Sequence, residues 1–231
     1  MSVLVRAEGL AGAYGPVDAL NEVTFALQAG ERCGVLGPNG GGKTTLFRLL
    51  TGELAPRRGT LERPRVAIVA QTERSRLDFP VSALDVALMG ALSRTPWWRR
   101  PRRTERALAH EALERVGLAD EAQRTFGDLS GGQRQRVLVA RALVQDAPVV
   151  LLDEPFTGLD ARSADRLERL LAELAAEGRA LLIATHDPDQ ARGWERVLCV
   201  NRRMVAFGAP DATLTDAVLE QTYGRRLAGV L

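Results

Sequence analysis

Short apolar runs and helically spaced apolar residues alternate along this chain in an order that predicts an α/β fold. The first third is rich in β-type runs around a single glycine-rich segment. Strands are predicted over Val3–Ala7, Val23–Gln28, Arg32–Leu36, Gly59–Leu61 and Val66–Val69. One helix is predicted in this part of the chain, over Lys43–Thr51.

The middle third changes to helical spacing. Apolar residues recur every three to four positions across Ser82–Leu92, Thr104–Val116 and Gly131–Val144. This part is therefore predicted to be a helical insert.

The last third returns to the pattern of buried parallel strands. The runs Val149–Leu152 and Ala180–Ala184 are separated by a predicted helix, Ala161–Ala176, that ends before Gly178. Strand, crossover helix and strand indicate a parallel α/β core. A closing hairpin and a last helix are predicted over Val197–Val200, Met204–Phe207 and Asp216–Tyr223.

Composition narrows the class of protein. With 231 residues, 45% of them hydrophobic, the chain can form a sizeable core, and a net charge of +2 does not indicate nucleic-acid binding. Cys33 and Cys199 lie far apart in apolar runs, which favours free thiols in a reducing compartment. Because no apolar run approaches a membrane span and no signal peptide is evident, any membrane link is expected to run through a partner.

The glycine-rich segment is the first candidate for chemistry. It contains the only lysine among 31 basic residues, and lysine is the residue that reaches the β- and γ-phosphates of a nucleotide in phosphate-binding loops. A β-run precedes the segment and a helix follows, as this motif requires, whereas an ordinary glycine turn is the alternative. The candidate nucleotide ligands are Gly37, Pro38, Asn39, Gly40, Gly41, Gly42, Lys43, Thr44 and Thr45, with Thr44 also expected to hold Mg²⁺.

An acidic pair follows the apolar run Val149–Leu152. Asp153 should emerge at the carboxyl end of a buried strand, where it could bind Mg²⁺. Glu154 could act as the general base that activates water. The alternative is a helix-capping turn, since Pro155 begins a loop.

A second anion site is possible at Leu129-Ser130-Gly131-Gly132-Gln133. Ser130 supplies a hydroxyl and the glycines supply free amides at the positive end of a predicted helix. On the residues alone, a capped helix start is the favoured explanation of this pattern.

The chain resembles the nucleotide-binding subunit of ABC transporters in the order and spacing of six features: the lysine loop, Gln71, Leu129–Gln133, Val149–Pro155, Gly158-Leu159-Asp160 and His186. The resemblance covers the whole chain and is most specific at Leu129–Gln133, between a phosphate loop and an Asp-Glu pair. It implies a P-loop NTPase core with a mostly parallel sheet, an N-terminal antiparallel β subdomain and an inserted helical subdomain. It also implies ATP, Mg²⁺ and a head-to-tail dimer, in which Ser130, Gly131, Gly132 and Gln133 of one subunit contact the ATP bound by the other.

The same resemblance implies roles for residues outside the main motifs. Tyr14 would stack on adenine, with Val17 beside it, although a loop aromatic packed on the core is the alternative. Gln71 would contact Mg²⁺ or water, His186 would contact the γ-phosphate, and both would be catalytic with Glu154. Asp160 would make a dimer contact, and it could also cap the helix at Ala161. His110 fits no motif and is expected to be an ordinary surface or half-buried histidine of a helix.

The segment Leu77–Gly90 resembles the corresponding part of importers of manganese, zinc or iron. Importers of iron chelates are similar there, so they stay an alternative, as do soluble ABC ATPases of iron–sulfur cluster assembly or DNA maintenance. The basic run Trp97–Arg103 is expected to be a solvated loop, or to lie near lipid or a permease.

The resemblance also implies an organisation. Residues 1–231 would form one ABC ATPase domain, with residues 1–74 and 146–231 as nucleotide-binding core and 75–145 as helical subdomain. The expected partners are a second copy, an integral membrane permease and, indirectly, an extracytoplasmic metal-binding protein, without nucleic acid. The expected location is the cytoplasmic face of the membrane, peripheral and held by the permease.

Overall fold

The computed structural model describes residues 2–69, 80–93 and 99–224. Its strands are β1 (Val3–Tyr14), β2 (Val17–Gln28), β3 (Arg32–Leu36), β4 (Arg58–Glu62), β5 (Val66–Val69), β6 (Val149–Asp153), β7 (Ala180–Thr185), β8 (Arg196–Val200) and β9 (Met204–Gly208). Its α-helices are α1 (Lys43–Thr51), α2 (Ala83–Leu88), α3 (Arg103–Arg115), α4 (Gly131–Gln145), α5 (Ala161–Ala176), α6 (Pro188–Ala191), α7 (Pro210–Thr213) and α8 (Asp216–Tyr223). Short 3₁₀ turns cover Met89–Ser93 and Phe126–Asp128.

Two sheets are present among the described residues. A three-stranded antiparallel sheet has the order β2-β1-β4. A six-stranded sheet has the order β5-β6-β7-β3-β8-β9, in which β3 pairs in parallel with β7 and β8, and β9 is antiparallel to β8. The predicted α/β class with an N-terminal antiparallel β subdomain is confirmed.

The central strands are almost entirely buried, as is usual for parallel strands whose sheet is covered on both faces. All six residues of β7 are buried, as are four of the five residues in each of β3 and β6. Gly34 in β3 leaves room for a close approach of α6: a β-carbon there would lie 2.9 Å from Cβ of Ala191 and 3.0 Å from the ring of Trp194. At the start of β3, Arg32 forms an ion pair with Glu195 at 2.8 Å.

The chain divides into two compact units. One comprises Met1–Val66, Pro148–Leu151 and Leu174–Leu231, and contains the antiparallel sheet and the glycine-rich loop. The other comprises Ala67–Ala147 and Leu152–Glu173, and contains α2, α3, α4 and most of α5. In this second unit, α2, α3 and α4 pack on one another, and each helix contributes a buried leucine: Leu84, Leu113 and Leu138.

Candidate nucleotide-binding site

The glycine-rich loop connects β3 to the start of α1. A β-carbon on Gly37 would overlap the carbonyl oxygen of Val200, so this position requires glycine for a close backbone approach. Gly42 has φ 104° and caps α1 in a left-handed conformation. The amide of Gly41 donates to the carbonyl of Pro38 at 2.9 Å, which closes the turn. The loop thus presents its backbone at the positive end of a helix, the arrangement that binds phosphate.

Lys43 is folded back onto this loop. Its side chain is nearly buried, and Nζ donates to the carbonyl of Gly37 and, at 3.3 Å, to that of Pro38. Thr44 follows in the first turn of α1 and is half-buried, whereas Thr45 is buried. A phosphate bound here would offer the ammonium a stronger, charge-assisted partner than the two carbonyls do.

A hydrogen-bond chain supports the loop from a distant part of the sequence. The amide of Arg202, in the turn between β8 and β9, donates to the carbonyl of Gly41 at 2.7 Å. The carbonyl of Arg202 accepts from the amide of Asn21 at 2.8 Å. Sequence reasoning missed this support because neither the β8–β9 turn nor Asn21, within β2, belongs to a motif.

A second support that the sequence did not reveal is Tyr223, in the last helix. Its hydroxyl is buried and has no hydrogen bond of regular geometry among the described residues. Burial and the neighbouring Cys199 thiol raise the pKa of Tyr223 to about 12, and the amide of Gly37, which faces the phenol oxygen, opposes this rise. The phenol therefore abuts the first glycine of the loop.

Tyr14 and Val17 flank the two-residue turn between β1 and β2. Both are exposed, at 43% and 66%, so Tyr14 is not packed into the core as the alternative supposed. The phenol oxygen accepts from Nη1 of Arg48 on α1 at 3.2 Å, and the guanidinium lies 5.6 Å from the ring centroid. The ring is thus available to stack on a flat ligand.

His186 lies directly after β7 and is exposed. The buried hydroxyl of Thr185 donates to the side-chain oxygen of Gln190 at 3.0 Å and accepts from the amide of Asp187 at 3.1 Å. Asp187 in turn caps α6, accepting from the amide of Asp189. The backbone on both sides of His186 is therefore fixed, while its ring faces solvent.

In the second unit, Asp153 ends β6 and Glu154 follows it, both half-buried. Glu154 has φ 49°, an uncommon left-handed conformation for a residue other than glycine. Its carboxylate accepts from the Thr157 hydroxyl at 3.4 Å. Such backbone strain often occurs at functional sites, but Glu22, Asp146 and Arg202 share the conformation here, so the φ angle of Glu154 does not by itself mark a site.

Ser130 caps α4 through a capping box. Its hydroxyl accepts from the amide of Gln133 at 3.2 Å, and the side chain of Gln133 accepts from the amide of Ser130 at 2.9 Å. The capped helix start weighed from the sequence is therefore present. Gly131 has open space on its Cβ side, so its backbone is accessible to a ligand.

Asp160 lies beside this helix start. It caps α5 by accepting from the amide of Ser163 at 2.7 Å, and a β-carbon on Gly132 would lie 3.3 Å from the hydroxyl of Ser163. Hydrogen bonds from Ser163 lower the pKa of Asp160, and the guanidinium of Arg136 also favours its charged form. Arg136 itself is buried and donates to the carbonyl of Val116 at 2.9 Å. The structure thus brings Leu129–Gln133 and Asp160 together within one unit.

Several predicted residues lie outside the described part of the chain. These are Gln71, the first three residues of Leu77–Gly90, and the two tryptophans of Trp97–Arg103. The described remainder of the basic run includes Arg99, paired with Glu105, and the exposed Arg100 and Arg102. His110 is exposed and both cysteines are buried free thiols, as expected.

Within residues 2–69, 80–93 and 99–224, no helix is long and apolar enough to cross a membrane. In the same residues no group of three or more His, Cys, Asp or Glu side chains could hold a metal ion.

The α/β fold and the lysine loop between β3 and α1 define a phosphate-loop nucleotide-binding protein. The family model of the ABC transporter domain matches residues 20–157, and the chain belongs to this family of ATPases.

Two curated relatives align over nearly the whole chain. The zinc transport system ATP-binding protein TroB of Treponema pallidum is 38% identical, with 98% of this chain and 89% of the relative covered. The manganese transport system ATP-binding protein MntB of Bacillus subtilis is 36% identical, with 96% and 93% covered.

Solved structures agree on the fold. An ABC transporter described as of the metal-chelate type, in an inward-facing conformation, is 31% identical with a TM-score of 0.88, covering 96% of this chain and 89% of that one. A dimeric ATP-binding cassette in a post-hydrolysis state, bound to ADP and phosphate, is 25% identical with a TM-score of 0.76, covering 90% and 99%.

Proposed function

We propose that this chain is the ATP-hydrolysing subunit of an ABC importer for divalent metal ions such as manganese, zinc or iron. The observation that carries the proposal is the alignment, over almost the full length of both proteins, with ATP-binding proteins of zinc and manganese transport systems. The metal itself would not touch this chain. Its task would be to convert ATP binding and hydrolysis into movement of a permease.

The phosphate loop would bind the triphosphate. Lys43 would exchange its two carbonyl acceptors for the β- and γ-phosphates, while the loop amides and the positive end of α1 bind the remaining oxygens. Tyr14 would stack on adenine with Val17 alongside, since both are exposed at the tip of one hairpin.

Magnesium fits the oxygen donors that the family pattern assigns to it. The Thr44 hydroxyl and the Asp153 carboxylate are hard ligands, and one carboxylate with waters and phosphate oxygens is a usual Mg²⁺ environment. Gln71 is proposed as a further contact, through its side-chain oxygen. The ion would neutralise charge that develops on the phosphates during transfer.

Hydrolysis would use Glu154 and His186. Glu154 would take the proton from water as its oxygen attacks the γ-phosphorus and the bond to the ADP oxygen breaks, giving ADP and phosphate. His186 would contact the γ-phosphate and orient the water together with Gln71. The fixed backbone on either side of His186 supports a positioning role, because a ring held at its base loses less freedom in the reactive arrangement.

The ATP site would be completed by a second copy of the chain. Ser130, Gly131, Gly132 and Gln133 would contact the γ-phosphate held by Lys43 of the partner subunit, with Asp160 at the dimer contact. The dimeric cassette bound to ADP and phosphate supports this arrangement. In the present chain the accessible backbone of Gly131 and the packing of Gly132 beside Ser163 are compatible with it.

The permease would dock on the helical subdomain, proposed as residues 75–145, around Gln71 and Leu77–Gly90. This would place the chain at the cytoplasmic face of the membrane, with an extracytoplasmic metal-binding protein delivering cargo on the other side. The segment Arg99–Arg103 would lie toward the permease or the lipid headgroups. Its three exposed arginines, Arg100, Arg102 and Arg103, support this placement.

The test is the reconstituted transporter with Glu154→Gln. ATP binding should be retained while hydrolysis and uptake of manganese, zinc and iron are lost, because only water activation is removed. Glu111→Gln, on the exposed face of α3, is the matched control and should retain both. Full turnover by Glu154→Gln would refute its role as base.

The same uptake assay identifies the cargo. Uptake of free ions would support the main proposal, whereas uptake of an iron chelate alone would favour the chelate importer. ATP hydrolysis that never depends on a permease would favour a soluble ABC ATPase instead.

A further inference from the structure

Tyr14 lies at an exposed hairpin tip, where little packing fixes its ring. The turn residue next to it, Gly15, has φ 58° and nothing within 4 Å of its Cβ position, and Val17 on the other side is exposed. An aromatic side chain in such a place samples several rotamers, and a base that stacks on it must first order the ring.

One cation restrains this ring. Arg48 donates from Nη1 to the phenol oxygen at 3.2 Å, and its guanidinium lies 5.6 Å from the ring centroid, within the range of a cation–π contact. Both contacts come from the same side chain, so they fix the ring at its hydroxyl end and leave much of the remaining ring surface open.

The contact depends on how closely β1 approaches α1. A β-carbon on Gly12 would lie 2.9 Å from Leu49 and 3.0 Å from Thr45, so glycine at this position lets the strand pack directly on the helix. Tyr14 follows two residues later, at the end of β1. Arg48, on the exposed side of α1, reaches the ring with its guanidinium.

Arg48 also connects the ring to the phosphate-binding lysine. It lies five residues after Lys43 on the same helix, whose opposite face is buried through Leu46, Leu49 and Leu50. The ring is thereby held by the rigid element that begins at the phosphate loop. Lys43 on α1 would recognise the phosphates, and Arg48 on the same helix would hold the ring that recognises the base.

We infer that Arg48 is a positioning residue that holds the Tyr14 ring for stacking on adenine, and so determines how strongly the site prefers a nucleotide to a bare polyphosphate. This inference rests on the proposed binding of ATP by Lys43 and Tyr14. Arg48 acts only through the ring, and therefore contributes nothing to a ligand that has no base.

The test is equilibrium binding to the purified chain, with ATP and inorganic tripolyphosphate competing separately against a fluorescent ATP analogue. Arg48→Met should weaken ATP binding about two- to fivefold, the contribution of an exposed cation–π contact, and leave tripolyphosphate binding unchanged. Arg48→Lys retains the cation and should give a smaller loss. Arg57→Met is the matched control, since it removes another exposed arginine of the same unit, one that pairs with Asp18 and not with Tyr14.

A double-mutant cycle checks that Arg48 acts through Tyr14. In a Tyr14→Ala background, Arg48→Met should have no further effect on ATP binding. An equal loss for ATP and tripolyphosphate, or an additive loss in the Tyr14→Ala background, would overturn the inference. Failure of the unmodified chain to bind either ligand would instead refute the proposed function on which it rests.

Discussion

The close packing of β3 on α6 offers a sharp test of the structure through Gly34→Ala. The new β-carbon would lie 2.9 Å from Cβ of Ala191 and 3.0 Å from the ring of Trp194, both of which are buried. Since carbon atoms prefer about 3.5–4.0 Å, these neighbours must each move by about 0.5 Å or more. Neither can swing aside, because one atom is fixed to the backbone and the other belongs to a rigid ring.

The expected loss of stability follows from two opposing terms. Overpacking of a core costs about 1–3 kcal/mol, whereas replacing glycine by alanine reduces the freedom of the unfolded chain and returns about 0.4–1 kcal/mol. The net loss is about 1–2 kcal/mol, or about 2–8 °C in melting temperature for a chain of this size. Because Ala191 ends the helix that follows His186, turnover should also fall while ATP binding persists.

Urea unfolding followed by circular dichroism and steady-state ATP hydrolysis measure the two effects. Gly127→Ala is the neutral control, because Gly127 has nothing within 4 Å of its Cβ position. Gly9→Ala is the control for backbone strain alone, since Gly9 has φ 55° and equally open surroundings. If Gly34→Ala unfolds at the same urea concentration as Gly127→Ala, the close β3–α6 packing is wrong.

Three further predictions use matched changes or pH. Ser130→Ala and Ser82→Ala each remove a capping box and should each lower the free energy of unfolding by about 1 kcal/mol. Only Ser130→Ala should also abolish ATP hydrolysis, because Ser130 is proposed to contact the ATP of the partner subunit. Equal ATPase activities of the two variants would refute that proposed contact. Burial alone would raise the pKa of Glu195, but hydrogen bonds from Arg32 lower it below its ordinary value of 4.5. Glu195→Gln should therefore be less stable than the unmodified chain at pH 7 in thermal melts, with the difference vanishing as the pH falls from 4.5 through the lowered pKa; a constant difference would contradict the ion pair. Thr185→Val should lower kcat several-fold with the KM for ATP retained, because the hydrogen bonds of the Thr185 hydroxyl fix the backbone around His186. Thr185→Ser keeps the hydroxyl and should restore kcat. No recovery in Thr185→Ser would count against a role of this hydroxyl in positioning His186.

The longer elements were predictable because their signals are local. Helices predicted over Lys43–Thr51, Ala161–Ala176 and Asp216–Tyr223 have those bounds in the structure. Strong periodicity and a terminal glycine define such segments within a few residues. The four-residue helices α6 and α7 were not predicted, since so short a segment shows no period. The strands β1 and β2 are much longer than predicted, because cross-strand pairing continues through irregular positions such as Ala7–Leu10.

The motif residues of the candidate site could be named from the sequence, but most of their supports could not. Lys43 and Ser130 belong to patterns with fixed spacing. By contrast, Arg48 and Tyr14 are 34 residues apart, and the support of Gly41 comes from Arg202. Periodicity reports which face of an element is buried, and it does not report which distant side chain meets that face. The role of every site residue stays a prediction until the variants are measured.

The hydrogen bond from Arg202 to Gly41 has a consequence for how the chain folds. The phosphate loop belongs to the first fifth of the sequence, yet the amide that donates to its Gly41 carbonyl, that of Arg202, lies about 160 residues later. Val200 and Tyr223 reach Gly37 from the same distant region. Contacts of such large sequence separation form late, after the entropy of closing the intervening chain has been overcome. A chain emerging from the ribosome thus carries the complete lysine motif long before the loop is supported. Nucleotide binding by the supported loop is therefore expected only after the β8–β9 turn and α8 have been synthesised and folded.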